Sequence, residues 1–230
     1  MATEPFQLFS FPHLVIIALV PLSAAVLARW SRDNGQRARS IRITLGLIIL
    51  INELAWYGYY VQQGWFAFPY SLPLHLCDVV LWLTIYTAFT VKPWAFELIY
   101  YWGLAGTTMA LLTPEVSTPA LSYLTLRFLF AHGVIITTIL FLTWRRLLRP
   151  GKGSHWRALL FLHIYAGFIG LFNYIFRTNF FYICEKPIEA SLLDYMGPWP
   201  IYLLVGDLLA LAFFRLLWLP FRRSTSGLQG

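Results

Sequence analysis

The chain has 230 residues, 59% of them hydrophobic and 12% charged, against about 45–50% and about 25% in an average soluble domain. So many apolar residues exclude a disordered chain, which lacks the side chains to collapse. The net charge of +7 sits in short clusters between apolar runs, which argues against a nucleic-acid surface and for an integral membrane protein.

A hydrocarbon core about 30 Å thick needs about 20 apolar residues of helix. Runs of that length occupy 11–28, 42–61, 72–91, 94–113, 121–144, 156–176 and 199–219. They predict an all-α, seven-transmembrane-helix bundle forming one domain over 1–230. Ahead of the first run, MATEPFQLFSFPH carries Glu4 and no Lys or Arg. A signal peptide has a positive leading region, so this run is expected to stay as a span. Asn52 and Glu53 interrupt the second run, and Arg127 and His132 the fifth; both still span if those groups face the bundle interior. Lys92-Pro93 separates the third run from the fourth, and proline suits the first turn of a new helix.

The basic residues set the direction. Arg29, Arg32, Arg37, Arg39 and Arg42 fall between spans 1 and 2, and Arg145, Arg146, Arg149, Lys152 and Arg157 between spans 5 and 6. With Lys92, Arg215, Arg222 and Arg223, that places 14 of the 17 basic residues on one face. Only Arg127, Arg177 and Lys186 remain. The expected orientation is N-terminus out and C-terminus in. The long connection 177–198, holding Thr178, Asn179, Cys184, Glu185, Lys186, Glu189 and Asp194, then lies outside. Two readings of it stand: a lid over an outer cavity, or a solvated loop with a short surface helix.

An ionisable group near the middle of a span costs about 2.5–3.5 kcal/mol on insertion scales, so each needs a partner or a purpose. On this topology His75, Cys77 and Asp78 lie in the first two turns of span 3, Arg127 and His132 in the outer half of span 5, and Asn173 and Arg177 at the outer end of span 6. Asn52 and Glu53 lie near the middle of span 2. Polarity thus gathers in the outer half, as one outward-opening cavity would require. At 100° per residue, a regular helix puts His75 and Asp78 on one face and His75 and Cys77 on nearly opposite faces. That favours His132, from another helix at similar depth, as a base for Cys77.

A thiolate is the reactive form of cysteine, and a helix N-terminus with a nearby histidine favours it. Ser71-Leu72-Pro73 looks like the start of span 3, leaving Cys77 near that positive end. Two structural alternatives stand beside this: Cys77 as a small buried hydrophobe, or bridged to Cys184 on the oxidising side. Arg177, with Asn173 one turn before it, suits a bidentate grip on phosphate or carboxylate; the alternative is an ion pair with Glu53, Asp78 or Glu115. Asp207 is expected to pair internally with a histidine or arginine. Gly167 and Gly170 suggest close helix packing. No P-loop, nucleotide motif, CxxC or Cys/His metal spacing is present, so no cofactor or metal is expected.

LPLHLCD (72–78), TPE (113–115), RFLFAH (127–132), GLFNYIFRTN (170–179) and GPWPIY (197–202) resemble the YwaF-type bacterial membrane family, which is similar to vertebrate transmembrane protein 164. The resemblance covers span 2 through span 7. It implies a multi-pass protein of a bacterial plasma membrane. The vertebrate relative is regarded as a phospholipid acyltransferase using a cysteine and a histidine, which correspond to Cys77 and His132. On that basis the expected activity is CoA-independent transfer or hydrolysis of a lipid acyl group through a Cys thioester. Its partner would be a phospholipid or lysophospholipid, with Asn52, Glu53, His75, Asp78, Arg127, Asn173, Arg177 and Asn179 lining the substrate site. The rival reading is a non-catalytic seven-helix receptor, or a small-molecule binding or transport protein, using the same cavity.

Overall fold

A computed structural model describes residues 6–114, 116, 118–187 and 191–225; Glu115 and Glu189 lie outside them. The chain is all-helical. Helix α1 (Phe11–Trp30) starts with proline in its first turn after Ser10, where a missing N–H costs nothing. Helix α2 (Gly35–Gln62) starts seven residues before the apolar run, because the Asn34 side chain accepts the Arg37 N–H at 2.8 Å and caps it. Arg37, Arg39 and Arg42 therefore ride on the helix instead of a loop. Helix α3 (Leu76–Thr90) is shorter than its run. The fourth run folds as α4 (Pro93–Leu98), a π-helical stretch (Ile99–Thr107) and α5 (Thr108–Leu112). Then come α6 (Tyr123–Trp144), capped by Ser122, α7 (Ser154–Phe176) and α8 (Ile201–Trp218), which runs on as a tight turn-helix to Thr225.

Among the described residues, five helices are long and apolar enough to cross a membrane: α1, α2, α6, α7 and the segment Ile201–Arg222. With α3 and the broken rod 93–112 they make a multi-pass membrane protein.

One end of the bundle gathers the basic segments. Arg145 Nε donates to the Ser31 carbonyl at 3.0 Å, Arg42 to the carbonyls of Ala88 and Phe89, and Arg157 is paired with Glu97 at 2.7 Å. The opposite end gathers His13, Leu111, Leu74, His75, Phe181 and Tyr202. There His13 Nε2 meets the Leu111 carbonyl at 2.8 Å, and the Tyr165 hydroxyl donates to the Leu74 carbonyl at 2.6 Å.

The rod 93–112 sits in the core. Phe96, Ile99 and Tyr101 are fully buried, and three consecutive aromatics tie the rod to α7 and α8. Tyr100 donates to the Leu217 carbonyl (3.0 Å), Tyr101 shares a hydrogen with Ser154 (2.7 Å) and Trp102 donates to the Ala158 carbonyl (3.0 Å). A π-helix holds more residues per turn than an α-helix, which lets three bulky neighbours face partners at once.

Packing is uneven. In α6, 61% of the apolar stretch is buried, against 11% in α7 and in α8. Gly46 is packed so closely that an added Cβ would lie 2.9 Å from the Ala88 Cβ, whereas Gly167 and Gly170 have nothing within 4 Å. The close helix contact expected at Gly167 and Gly170 is therefore not made within the chain.

Candidate functional site

The site is built around the start of α3. The sequence places that start at Leu72, but residues 72–75 are irregular and the helix begins at Leu76. The cause is local. His75 is the extended N-cap, and the Asp78 carboxylate reaches back to its backbone N–H at 3.1 Å, as in a capping box. Cys77 is consequently in the first helical turn, and His75 is not on the helix at all. The angular separation of His75 from Cys77 on a regular helix does not apply.

His75 instead faces the long connection. Its Nδ1 accepts the Phe181 N–H at 3.4 Å, and its ring contacts those of Phe180 and Tyr182 at 5.2 and 5.3 Å. Asn173 ties the same segment down from α7. Its Nδ2 donates to the Phe180 carbonyl (2.9 Å), while its Oδ1 accepts from Phe180 N–H (3.0 Å) and Thr178 Oγ1 (2.8 Å). Asn179 closes the next turn, its Oδ1 accepting from Cys184 and Glu185 and its Nδ2 donating to the Glu185 carbonyl. Tyr202 donates to the Tyr182 carbonyl (2.6 Å) and Trp199 to that of Ile183 (3.1 Å). Residues 177–187 are thus a structured cover over the start of α3.

Arg177 ends α7 with a left-handed backbone (φ +56°), and its guanidinium lies over the Tyr174 ring at 5.6 Å. That conformation is strained for a residue with a Cβ. In return, the Arg177 and Thr178 N–H groups both reach the Asn173 carbonyl. Among the described residues, Arg177 pairs with no carboxylate.

Glu53 is paired with Arg127, which joins α2 to α6. Glu53 is 2% exposed. The Arg127 guanidinium also lies 4.4 Å from the centre of the Trp56 ring, a cation–π contact strengthened by desolvation. Tyr57, Cys77, Asp78 and His132 all feel the Arg127 charge, and Asp78 and Tyr57 feel Glu53 as well. Tyr165 feels Asp78 and Cys77. Tyr57 and Tyr165 were not expected at the site. Tyr57 had a readable signal, since it lies one helical turn after Glu53 and so on the same face; Tyr165 had none.

Cys77 and Cys184 are free thiols. Cys77 is half-buried, and its Sγ points to the Asp78 carboxylate at 4.0 Å. Among the described residues no hydrogen bond joins Cys77 to His132. His132 is buried on α6, with its Nδ1 2.8 Å from the Phe128 carbonyl. A carbonyl only accepts, so Nδ1 carries the proton and Nε2 is the basic nitrogen. Among the described residues that Nε2 is buried without a partner, as are Asn52 Nδ2 and Arg127 Nε.

Asn52 and Arg127 also line a cavity of about 860 Å³ between α1, α2 and α6. The remaining wall is nearly all apolar, with Leu19, Val26, Leu126, Phe130 and Val134 among it, and Ser23 and Thr137 deeper along the groove. An apolar slot with two unsatisfied N–H donors at one wall suits an acyl chain whose ester or phosphate oxygens accept from them. Away from this site, Asp207 does pair with a histidine, His163, at 3.1 Å. The pair is not internal: its side chains are 43% and 54% exposed on the outer surface of α7 and α8.

A family model described as TMEM164 family matches residues 8–218. Comparison with curated proteins and with solved structures gave no match.

Proposed function

The chain belongs to the TMEM164 family, and from that membership and the buried polar cluster we propose that it is a CoA-independent lipid acyltransferase or hydrolase. The supporting observation is the apolar α1–α2–α6 cavity with Asn52 and Arg127 in its wall, each carrying a buried N–H that has no acceptor among the described residues. The seven-span count with N-terminus out and C-terminus in, the bacterial plasma membrane, and opening of the cavity to the outer leaflet belong to the same proposal.

In this reading His132 Nε2 takes the proton of Cys77, and the thiolate attacks the carbonyl carbon of an acyl ester. The ester C–O bond breaks, a Cys77 thioester forms, and the leaving lysolipid oxygen takes the proton back from His132. A lysolipid hydroxyl or water then attacks the thioester by the reverse proton path and regenerates the thiol. Exchange of one ester for another needs no nucleotide. Asn52 and Arg127 donate hydrogen bonds to substrate oxygens. Asp78 and His75 fix the first turn that carries Cys77, while Asn173 and Asn179 hold the cover and Arg177 stands at its edge for the headgroup. The Cys77 thiol must leave Asp78 to meet His132, and such catalytic contacts commonly tighten only when substrate is bound.

Purified protein in nanodiscs, given donor phospholipid and an isotope-labelled lysolipid, tests this. Wild type should move label into diacyl lipid or release fatty acid, and Cys77→Ala should lose turnover. Full turnover by Cys77→Ala would overturn the mechanism. A bound small molecule that leaves chemically unchanged, with no acyl adduct on Cys77, would favour the receptor or transport reading.

A further inference from the structure

A second cavity, of about 340 Å³, lies at the basic end of the bundle between the start of α7 and the end of α8. Its wall is His155, Trp156, Arg215, Trp218, Leu219 and Arg222, with no carboxylate among them. Its chemistry is the reverse of the acyl slot: small, cationic and ringed by aromatic faces.

Three observations define what it would hold. Among the described residues Trp218 Nε1 is buried without an acceptor, and an indole nitrogen can only donate. His155 is 5% exposed, lines the cavity, and its Nδ1 is buried without a partner. Arg215 lies over the Trp156 ring at 5.0 Å and, among the described residues, pairs with no carboxylate. The nearby acid, Glu97, is occupied: it accepts from Arg157 Nε and NH2 (3.0 and 2.7 Å) and from the Gly151 N–H (3.1 Å). The first turn of α7 at this cavity contains no acidic residue, so the positive end of the helix dipole is uncompensated there.

Buried donors with no acceptor, beside a cation with no counter-ion, call for an anionic ligand rich in acceptor oxygens. We infer that this cavity binds a phosphate oxyanion, with Arg215 and the Trp218 and His155 ring N–H groups as its ligands. The group arrives as the headgroup phosphate of an anionic lipid or as free phosphate. The two sources share this chemistry and differ in whether a lipid must be present. The site is separate from the acyl-transfer chemistry, and its test does not depend on turnover.

Full-length protein in nanodiscs of equal phosphatidylglycerol and phosphatidylcholine, released for native mass spectrometry, reads the lipid retained. Wild type should keep phosphatidylglycerol over phosphatidylcholine, and Arg215→Gln should cut that preference about tenfold, as expected for a charge-assisted contact. Trp218→Phe keeps the ring and removes the donor, and should cut it about threefold. Arg39→Gln, on the same basic end but outside the cavity, should leave it unchanged. In delipidated protein, saturable quenching of tryptophan fluorescence by inorganic phosphate, lost in Arg215→Gln, would identify free phosphate as the ligand. Equal losses in Arg39→Gln and Arg215→Gln would overturn the proposal in favour of a diffuse basic surface. So would unchanged retention in both cavity variants together with no phosphate response in the wild-type protein.

Discussion

Of the acid–base pairs that join helices of this bundle, two could hardly be housed more differently. Glu53–Arg127 joins α2 to α6, with side chains 2% and 18% exposed; His163–Asp207 joins α7 to α8, with side chains 54% and 43% exposed. The first is wrapped by Trp56, faces a cavity and lies within Coulombic reach of Cys77, Asp78 and His132. The second has the open flank of the two least buried spans around it. Sequence depth alone would rank them equal. What separates them is how the helices turn about their axes, and that rotation decides which pair is enclosed and which lies on the surface of the bundle.

The sharpest way to break the comparison is to remove one partner from the buried pair. Arg127 cannot shed its proton, so Glu53→Gln strands a cation in a dry site. Breaking a buried pair in this way costs about 3–5 kcal/mol. Thermal unfolding of the Glu53→Gln protein in nanodiscs should show that loss, and the double variant Glu53→Gln with Arg127→Met should recover much of it. Equal losses in the single and double variants would mean that packing, not charge pairing, holds α2 to α6.

Packing gives the next contrast. At Gly46 an added Cβ meets the Cβ of Ala88 at 2.9 Å, and neither atom can rotate away, so α2 and α3 must separate. Gly46→Ala should cost about 1–3 kcal/mol, the usual penalty of overpacking. Gly167→Ala and Gly170→Ala, with open space around them, should be neutral or stabilising by up to about 1 kcal/mol through helix propensity. Destabilisation at Gly167 or Gly170 would show that a second helix packs there in the membrane.

Asn173 extends the comparison to the cover. It is 1% exposed, and its amide holds Thr178 and Phe180. Replacement by alanine leaves the Phe180 N–H and carbonyl and the Thr178 hydroxyl unsatisfied, at about 1–3 kcal/mol. Hydrogen exchange should quicken over 177–187 while the core of α6 stays protected. Uniform quickening across both regions would instead make Asn173 part of the global fold.

The apolar runs were legible because a span must be about 20 residues of hydrocarbon whatever its neighbours do. The arginine clusters were legible for a similar reason, and the contacts Arg42–Ala88, Arg145–Ser31 and Arg157–Glu97 bring their segments to one end. The true start of α3 was not, since Pro73 reads as a first-turn proline while the cap is made two residues on, at His75, by Asp78 reaching back to it. Nor was the π-helical stretch, because Tyr100, Tyr101 and Trp102 would suit an α-helix equally. The site residues were legible as polar exceptions within apolar runs. Their partners were not: Glu53 chose Arg127 over Arg177, and Asn173 turned its amide to the cover. Pairing depends on rotation between helices, and one chain's periodicity fixes only angles within a helix.

The smallest effect should come from the exposed pair, and the reason lies in its chemistry. Histidine near neutral pH can exist without charge, unlike the arginine of the buried pair. Asp207→Asn removes the acid and keeps a hydrogen-bonding group opposite His163. That change strands no fixed ion, so it should alter unfolding stability by about 1 kcal/mol or less, the scale of a polar contact between membrane helices. Thermal unfolding in nanodiscs measures it beside Glu53→Gln. A loss at Asp207→Asn as large as at Glu53→Gln would mean the α7–α8 flank is covered in the bilayer, which would also explain its unfilled glycines.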